Sequence, residues 1–193
     1  MRIIAELERK HTGVHLREIS RLVDTGLPNA KRFLEILIRE EVVRKEKYAN
    51  LVRFKLRESQ RTVAYLKNLN TEKFLALPSK VRTAINEFLE ELEIKPMVAI
   101  IFGSCAKGDY TSKSDIDILL VFQKVENEKG IENLARRISM RTNTKISSIY
   151  LSYENFEKNF LNKEHGFSGE IRQDVIVLLG VEHYYNMLWR FLK

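Results

Sequence analysis

The sequence predicts an α+β protein in two parts. Residues 1–57 read as three helices with short connections followed by two short strands, and from residue 97 onward strand and helix signals alternate. Charge supports the division. Residues 1–60 hold 14 Lys/Arg against 9 Asp/Glu, an excess of +5, and residues 61–193 hold 19 against 17, an excess of +2, which together give the net +7. A basic segment joined to a nearly neutral one fits a polyanion-binding module beside a second domain, while a solvated basic face is the simpler reading of charge taken alone. The expected boundaries are a first domain over 1–57, a helical connector over 58–79 and a second domain over 80–193.

Each element has its own signal. Ile3, Ile4 and Leu7, then Leu16, Ile19, Leu22 and Val23, recur at helical spacing. The second helix stops at Asp24-Thr25-Gly26. A third starts at Leu27-Pro28-Asn29, with Pro in the first turn, where its missing N–H is no loss. Ala30, Phe33 or Leu34, and Leu37 are its inward positions. Residues 42–47, a turn at Tyr48-Ala49-Asn50 and residues 51–56 form a β-hairpin, because apolar and basic residues alternate along the second run; Lys45, Lys47, Arg53 and Lys55 are left for solvent. Residues 58–93 give two helices broken near Leu77-Pro78-Ser79, the second carrying Val81, Ile85, Phe88, Leu89 and Leu92 on one face. Strands follow at 97–102, 114–122, 145–151 and 175–179, and helices at 131–140, 153–161 and 182–192. In the last helix, Tyr184, Tyr185 and Trp189 sit among Met187, Leu188 and Phe191 and read as core.

Composition excludes several classes. With 44% hydrophobic and 31% charged residues, and only 8 Gly and 3 Pro, disorder does not dominate. Charges among the apolar residues of the first eight positions argue against a signal peptide, and the longest apolar runs, 97–102 and 175–181, fall far below the roughly 20 residues that span a bilayer. No membrane association and a cytoplasmic location are the expectation. The single cysteine, Cys105, permits no internal disulfide and no thiolate metal site, which fits a reducing compartment and a packing role. His11, His15, His165 and His183 show no metal spacing and read as surface or capping residues.

Three helices with a tight second turn and a basic hairpin resemble a winged helix-turn-helix over the first 57 residues. The resemblance implies that the third helix enters the major groove of double-stranded DNA and that the hairpin touches backbone. Asn29, Lys31, Arg32, Glu35 and Ile36 would face outward on the recognition helix. Asn29 and Arg32 could read base edges, while Lys31, Lys45, Lys47, Arg53 and Lys55 could neutralise phosphates. The alternative is a winged helix used only for protein contacts or for a homodimer.

The strongest motif runs from Ile101-Phe102-Gly103-Ser104-Cys105-Ala106-Lys107-Gly108, through Asp109-Tyr110-Thr111-Ser112-Lys113, to Ser114-Asp115-Ile116-Asp117-Ile118-Leu119-Leu120-Val121. An apolar strand ending in Gly-Ser at a helix start offers backbone N–H groups and a hydroxyl to phosphate oxygens. Gly103 lets the ligand approach, because no Cβ stands in the way. Asp115 and Asp117 occupy positions i and i+2 of a strand, so their carboxylates share one face, about 7 Å apart, while Ile116 and Ile118 enter the core. Two such carboxylates repel each other and favour a divalent cation between them.

These residues resemble the polymerase-beta nucleotidyltransferase superfamily, and most closely its small prokaryotic members, the minimal nucleotidyltransferases. The resemblance covers residues 80–193 and implies a small mixed sheet flanked by helices. It further implies Mg²⁺- or Mn²⁺-dependent transfer of a nucleoside monophosphate from a nucleoside triphosphate, ATP first among them, to a protein or small-molecule hydroxyl. Gly103 and Ser104 would hold the terminal phosphates, with Lys107 and Ser114 as further nucleotide contacts; Asp115 and Asp117 would be the metal ligands and catalytic residues. In related two-component systems such a domain pairs with a HEPN-type toxin, which the resemblance adds to nucleotide and DNA as a partner.

The pattern breaks at one place. Active members carry a third acid on a following strand, and the matching position in Lys145-Ile146-Ser147-Ser148-Ile149 is Ser147. A serine ligates Mg²⁺ poorly and is no base near neutral pH. Asp174 and Glu170, near the last strand, could substitute, but each has an ordinary explanation, Glu170 as an exposed helix face and Asp174 as a strand start. Two readings stay open: a nucleotidyltransferase targeted through its winged helix, or a DNA-binding transcriptional regulator or antitoxin that binds nucleotide or partner without turnover.

Overall fold

A computed structural model describes residues 1–48, 51–111, 114–162 and 166–193. Ala49 and Asn50 of the expected hairpin turn, Ser112 and Lys113 of the central motif, and His165 lie outside the described residues. The chain forms two compact units, residues 1–69 with Leu192, and residues 70–191 with Lys193.

In the first unit, α1 (Arg2–Arg9), α2 (Leu16–Leu22) and α3 (Leu27–Arg39) precede an antiparallel ribbon, β1 (Val43–Tyr48) and β2 (Leu51–Leu56). Pro28 stands in the first turn of α3, as its fixed φ favours. The core is made by Ile4, Leu7, Val14, Ile19, Ala30, Leu34, Val42 and Val43, all 2% exposed or less, with Phe54 from the ribbon. The inward residue of α3 is Leu34, and Phe33 is 50% exposed. Between α1 and α2 a single residue, Val14, pairs with Phe54 in both directions, at 3.0 and 2.9 Å. Gly13 allows this approach: its φ is +90°, and a Cβ there would stand 2.7 Å from Lys55 Cγ. The buried Thr62, in the first part of α4 (Gln60–Leu75), donates to the Val42 carbonyl at 3.2 Å.

The second unit is a mixed four-stranded sheet in the order β5-β4-β3-β6, made of β3 (Val98–Phe102), β4 (Ile116–Phe122), β5 (Ile146–Ser152) and β6 (Ile176–Leu179). β3 lies antiparallel to β4 and β6, and β4 lies parallel to β5. A parallel neighbour requires a crossover. Here it is α7 (Glu128–Thr142), started by Asn127, whose side chain accepts from the Gly130 N–H at 2.9 Å, and ended by Asn143 in the left-handed region. α5 (Ser79–Glu91) and α7 cover one face, where Val81, Ile85, Phe88, Leu134 and Ile138 meet Ala99, Ile101, Ile116, Ile118 and Leu120. Leu89 is partly buried against the same cluster. Phe88 is fully buried, so Phe88→Ala would cost about 3–5 kcal/mol.

Helices α8 (Tyr153–Leu161) and α10 (Val181–Phe191) pack against the strands as well. Phe156, Phe160, Tyr184 and Tyr185 are buried in a chain of tilted and edge-on ring contacts, which the sequence reading of the last helix as core anticipates. The amide of Asn70 donates to the Tyr185 hydroxyl at 3.2 Å and accepts from the Val177 N–H at 2.7 Å, tying the end of α4 to β6 and α10. The short helix α6 (Gly103–Lys107) starts at Gly-Ser, where the motif puts a helix start, and only the four-residue α9 (Phe167–Glu170) escapes the sequence pattern among the described residues. Among the described residues no helix is long and apolar enough to cross a membrane.

Candidate functional site

The site grows from strand register. Phe102 is opposite Asp117 and Asp117 is opposite Ser147, so the three form one row across β3, β4 and β5. Ile116 and Ile118 point into the core under α5 and α7, and alternation therefore turns Asp117 to the other face. Asp115 stands one residue before β4 begins, held there because the Ile116 N–H donates to the Lys145 carbonyl at 2.8 Å. Both carboxylates are half-buried.

Chain reversal after Phe102 brings α6 to the same row. Gly103 has φ +67°, and a Cβ there would lie 2.4 Å from Asp117 Oδ2. Only glycine lets the Gly-Ser turn come this close to the carboxylate. The N-cap Phe102 makes no side-chain cap hydrogen bond, and α6 begins beside Asp117. Ser104 is half-buried, and Lys107 is exposed in the last turn. Ser114 is engaged locally: its hydroxyl accepts from the Thr111 N–H at 3.0 Å, while its own N–H donates to the Thr111 carbonyl at 3.0 Å. Cys105 is buried as expected, its thiol pushed up to about 11 by burial and by the Asp117 charge.

The electrostatics bring in one group that sequence reasoning passed over, Lys145, and one that it named as a substitute acid, Glu170. Burial, then the charges of Asp115 and Glu170, raise the Asp117 pKa; Lys145 and a hydrogen bond from the Ser147 hydroxyl oppose the rise. Ser147 thus faces the same carboxylate as the third acid would, but as a neutral donor. Glu170 is exposed, as expected, at the end of α9, whose Phe167 ring packs edge-on against Phe102 at 5.5 Å. Arg172 fixes that segment, donating to the Phe160 and Asn162 carbonyls and to Ser168 Oγ. Lys145 Nζ donates to Asp115 Oδ2 at 2.5 Å. Neither placement was legible: the four-residue helix that carries Glu170 has no periodicity, and Lys145 meets Asp115 only through the parallel register of β4 and β5. Among the described residues no group of three or more His, Cys, Asp and Glu is arranged to hold a metal ion. The Asp115 and Asp117 carboxylates are hard oxygen donors of the kind a divalent cation takes.

In the first unit, Asn29, Lys31, Arg32 and Glu35 are exposed on α3, and Ile36 is half-buried. Lys31 lies 3.9 Å from Glu35. On the ribbon, register puts Lys45 and Lys47 on one face, Arg53 and Lys55 on the other. Lys45, Lys47 and Arg53 are exposed, whereas Lys55 is tied to Glu46 at 2.9 Å, which also holds Arg44 at 3.0 Å.

A family model described as polymerase beta, nucleotidyltransferase matches residues 83–165, which fall in the second unit. Over 79 residues the chain is 39% identical to a provisionally named protein adenylyltransferase of Methanocaldococcus jannaschii, covering 39% of this chain and 77% of that protein. A second protein of that organism, with the same provisional name, is 28% identical over 75 residues, or 37% of this chain and 75% of its own length. The crystal structure of a provisionally named nucleotidyltransferase from Sulfolobus solfataricus aligns with 46% of this chain and 78% of its own at 23% identity, with a TM-score of 0.28.

Proposed function

Since the chain belongs to the polymerase beta nucleotidyltransferase family, we propose that it transfers a nucleoside monophosphate from ATP, with Mg²⁺, to the hydroxyl of a protein acceptor. The observation that carries this reading is the contact of the Gly103-Ser104 turn with Asp117, where a Cβ would sit 2.4 Å from the carboxylate oxygen. A phosphate-binding turn and a metal-ligating carboxylate must lie close together if they serve one nucleotide, because the metal bridges carboxylate and phosphate. In this proposal the α6 N–H groups and Ser104 hold the terminal phosphates, Lys107 contributes charge at their edge, and Asp115 and Asp117 are the catalytic metal ligands. Ser114 is bonded to Thr111 ahead of β4, which gives it a positioning rather than a contact role in this proposal. A divalent cation there would neutralise charge on the transferred phosphoryl group and the leaving pyrophosphate. A protein acceptor follows from the names of the two relatives, and a HEPN-type toxin is one acceptor of that class.

The first unit we read as a winged helix that binds double-stranded DNA, with Asn29 and Arg32 toward the bases and Lys31, Lys45, Lys47 and Arg53 toward phosphates. Supporting it are the three helices, the basic ribbon and the single-residue pairing of Val14 with Phe54 at the ribbon's edge. Lys55, paired to Glu46, is the weakest of the cations assigned to this surface. The proposed domain boundaries remain 1–57, 58–79 and 80–193.

Incubation with labelled ATP, Mg²⁺ and cell lysate tests the enzyme reading, because a labelled acceptor must appear and must vanish with Asp117→Ala. Ser147 favours a second reading, since its hydroxyl stands where a third carboxylate would act as base: a DNA-binding regulator or antitoxin that binds nucleotide without turnover. Nucleotide binding with no labelled acceptor under any condition selects that reading.

A further inference from the structure

We propose that Lys145 is a built-in counter-ion for the Asp115 and Asp117 pair, displaced only when metal and triphosphate arrive together, so that the site takes the metal–nucleotide complex in preference to free metal. The inference rests on the metal-ligand reading of the two aspartates. Lys145 Nζ lies 2.5 Å from Asp115 Oδ2, on an oxygen that reading gives to the metal. A cation and an ammonium cannot share it.

The backbone at Lys145 is fixed and its head group is not. Its carbonyl accepts from the Ile116 N–H at 2.8 Å, between the two aspartates, while its side chain is 72% exposed. The ammonium can therefore leave Asp115 without disturbing β4 or β5. A lysine suits such a role because it is a point charge on a flexible stem, whereas an arginine fork would hold the carboxylate at two points. Other ion pairs of this unit, such as Lys158 with Glu154 or Arg141 with Glu87, use acids that are not among the proposed metal ligands. Asp115 is different: its partner must be exchanged for function to begin.

Charge decides what performs the exchange. Lys145 cancels one of the negative charges that Asp115, Asp117 and Glu170 present together, and Ser147 adds none. A free divalent ion meets a weakened field and must also strand the ammonium in water beside it. A metal carried on a triphosphate brings its own anionic oxygens, which supply further ligands to the metal and a new partner for the displaced ammonium. Metal and nucleotide binding are thereby coupled, and the coupling is reciprocal.

Titration calorimetry with Mn²⁺ alone, and with Mn²⁺ plus a non-hydrolysable ATP analogue, tests this on the full chain and on Lys145→Met and Lys145→Gln. Removing the ammonium should tighten Mn²⁺-alone binding about tenfold, as expected for deleting one charge roughly 5 Å from a divalent ion. The gain in Mn²⁺ affinity given by the analogue should shrink by a similar factor. Equal Mn²⁺ affinities in wild type and both variants, without or with the analogue, would overturn the proposal. Asp117→Asn separates this failure from failure of the site: if Mn²⁺ binds unchanged in Asp117→Asn, the metal-ligand reading itself is wrong. If Asp117→Asn abolishes binding while the Lys145 variants behave as wild type, only the counter-ion role falls.

Discussion

The two units present their polar groups in opposite ways. In the first, Asn29, Arg32, Lys45, Lys47 and Arg53 stand exposed on elements whose apolar sides make the core, so each charge acts nearly alone in water. In the second, Asp117 is half-buried in a row of Phe102, Asp117 and Ser147, and its protonation responds to burial, Asp115, Glu170, Lys145 and Ser147 together. A surface of the first kind tolerates loss of any one member, because exposed charges contribute small and nearly additive amounts. A site of the second kind does not, because its members share one electrostatic field. Substitutions should therefore have large, coupled effects in the second unit and graded effects in the first.

The largest effect expected is that of Asp117→Ala on nucleotide transfer, a loss of roughly two to four powers of ten, measured with labelled ATP. The same variant should lose the rise in melting temperature that Mg²⁺ with a nucleotide gives by binding the folded state. An equal thermal shift in wild type and variant would place the ligand elsewhere. Ser147→Asp is the converse experiment: it adds a carboxylate beside Asp117, where Ser147 now donates a hydrogen bond. Turnover should rise by up to roughly two powers of ten. Should wild type be fast and Ser147→Asp slower, then Glu170→Gln decides whether the acid on α9 already fills the third role, since its loss would lower the wild-type rate.

Graded behaviour is the forecast for the first unit. Replacing Lys45 and Lys47 together by Ala should flatten the dependence of duplex binding on salt by about two units of slope, one per phosphate contact, for every sequence tested. Arg32→Ala should instead reduce discrimination between sequences, by about 1–3 kcal/mol at one base pair. Lys55→Ala should do less than either, because its charge is already engaged by Glu46. Should a single lysine abolish binding, or should duplexes fail to bind at low salt, the contrast between the units collapses.

How much was legible follows from the same physics. Period-2 burial and the Asp-x-Asp spacing locate β4 within two residues and turn Asp117 away from the Ile116 and Ile118 core before any contact is known. Helix phase is softer: Phe33 and Leu34 both satisfy the spacing of α3, and only packing selects Leu34. A one-residue pairing such as Val14 with Phe54 carries no period at all. The site's acidic motif is local in sequence, within 15 residues of Gly103, whereas its modulators come from other elements, Lys145 from the start of β5 and Glu170 from α9. Composition cannot relate an acid at 170 to one at 117; strand register and the packing of Phe167 on Phe102 do so.

The smallest effect expected is also the most direct test of that shared field. Burial, Asp115 and Glu170 hold the Asp117 pKa above its ordinary value of 3.8, so without metal the folded chain keeps a proton that the unfolded chain has released. Between the ordinary value and the raised one the folded state binds more protons, and stability therefore falls as pH rises through that window. Above the window the penalty of ionised Asp117 is complete, and below pH 3.8 it is absent. Asp117→Asn removes the penalty at nearly constant shape. In EDTA the variant should melt above wild type near pH 7, by an amount kept to about a degree or two by solvent screening at a half-buried site. That difference should close as pH falls toward the unfolded value. With Mg²⁺ and nucleotide the order should reverse, because wild type alone gains the ligand's stabilisation. A difference in melting temperature that stays constant with pH would mean that Asp117 is held by shape alone, and the site would then behave like the independent charges of the first unit.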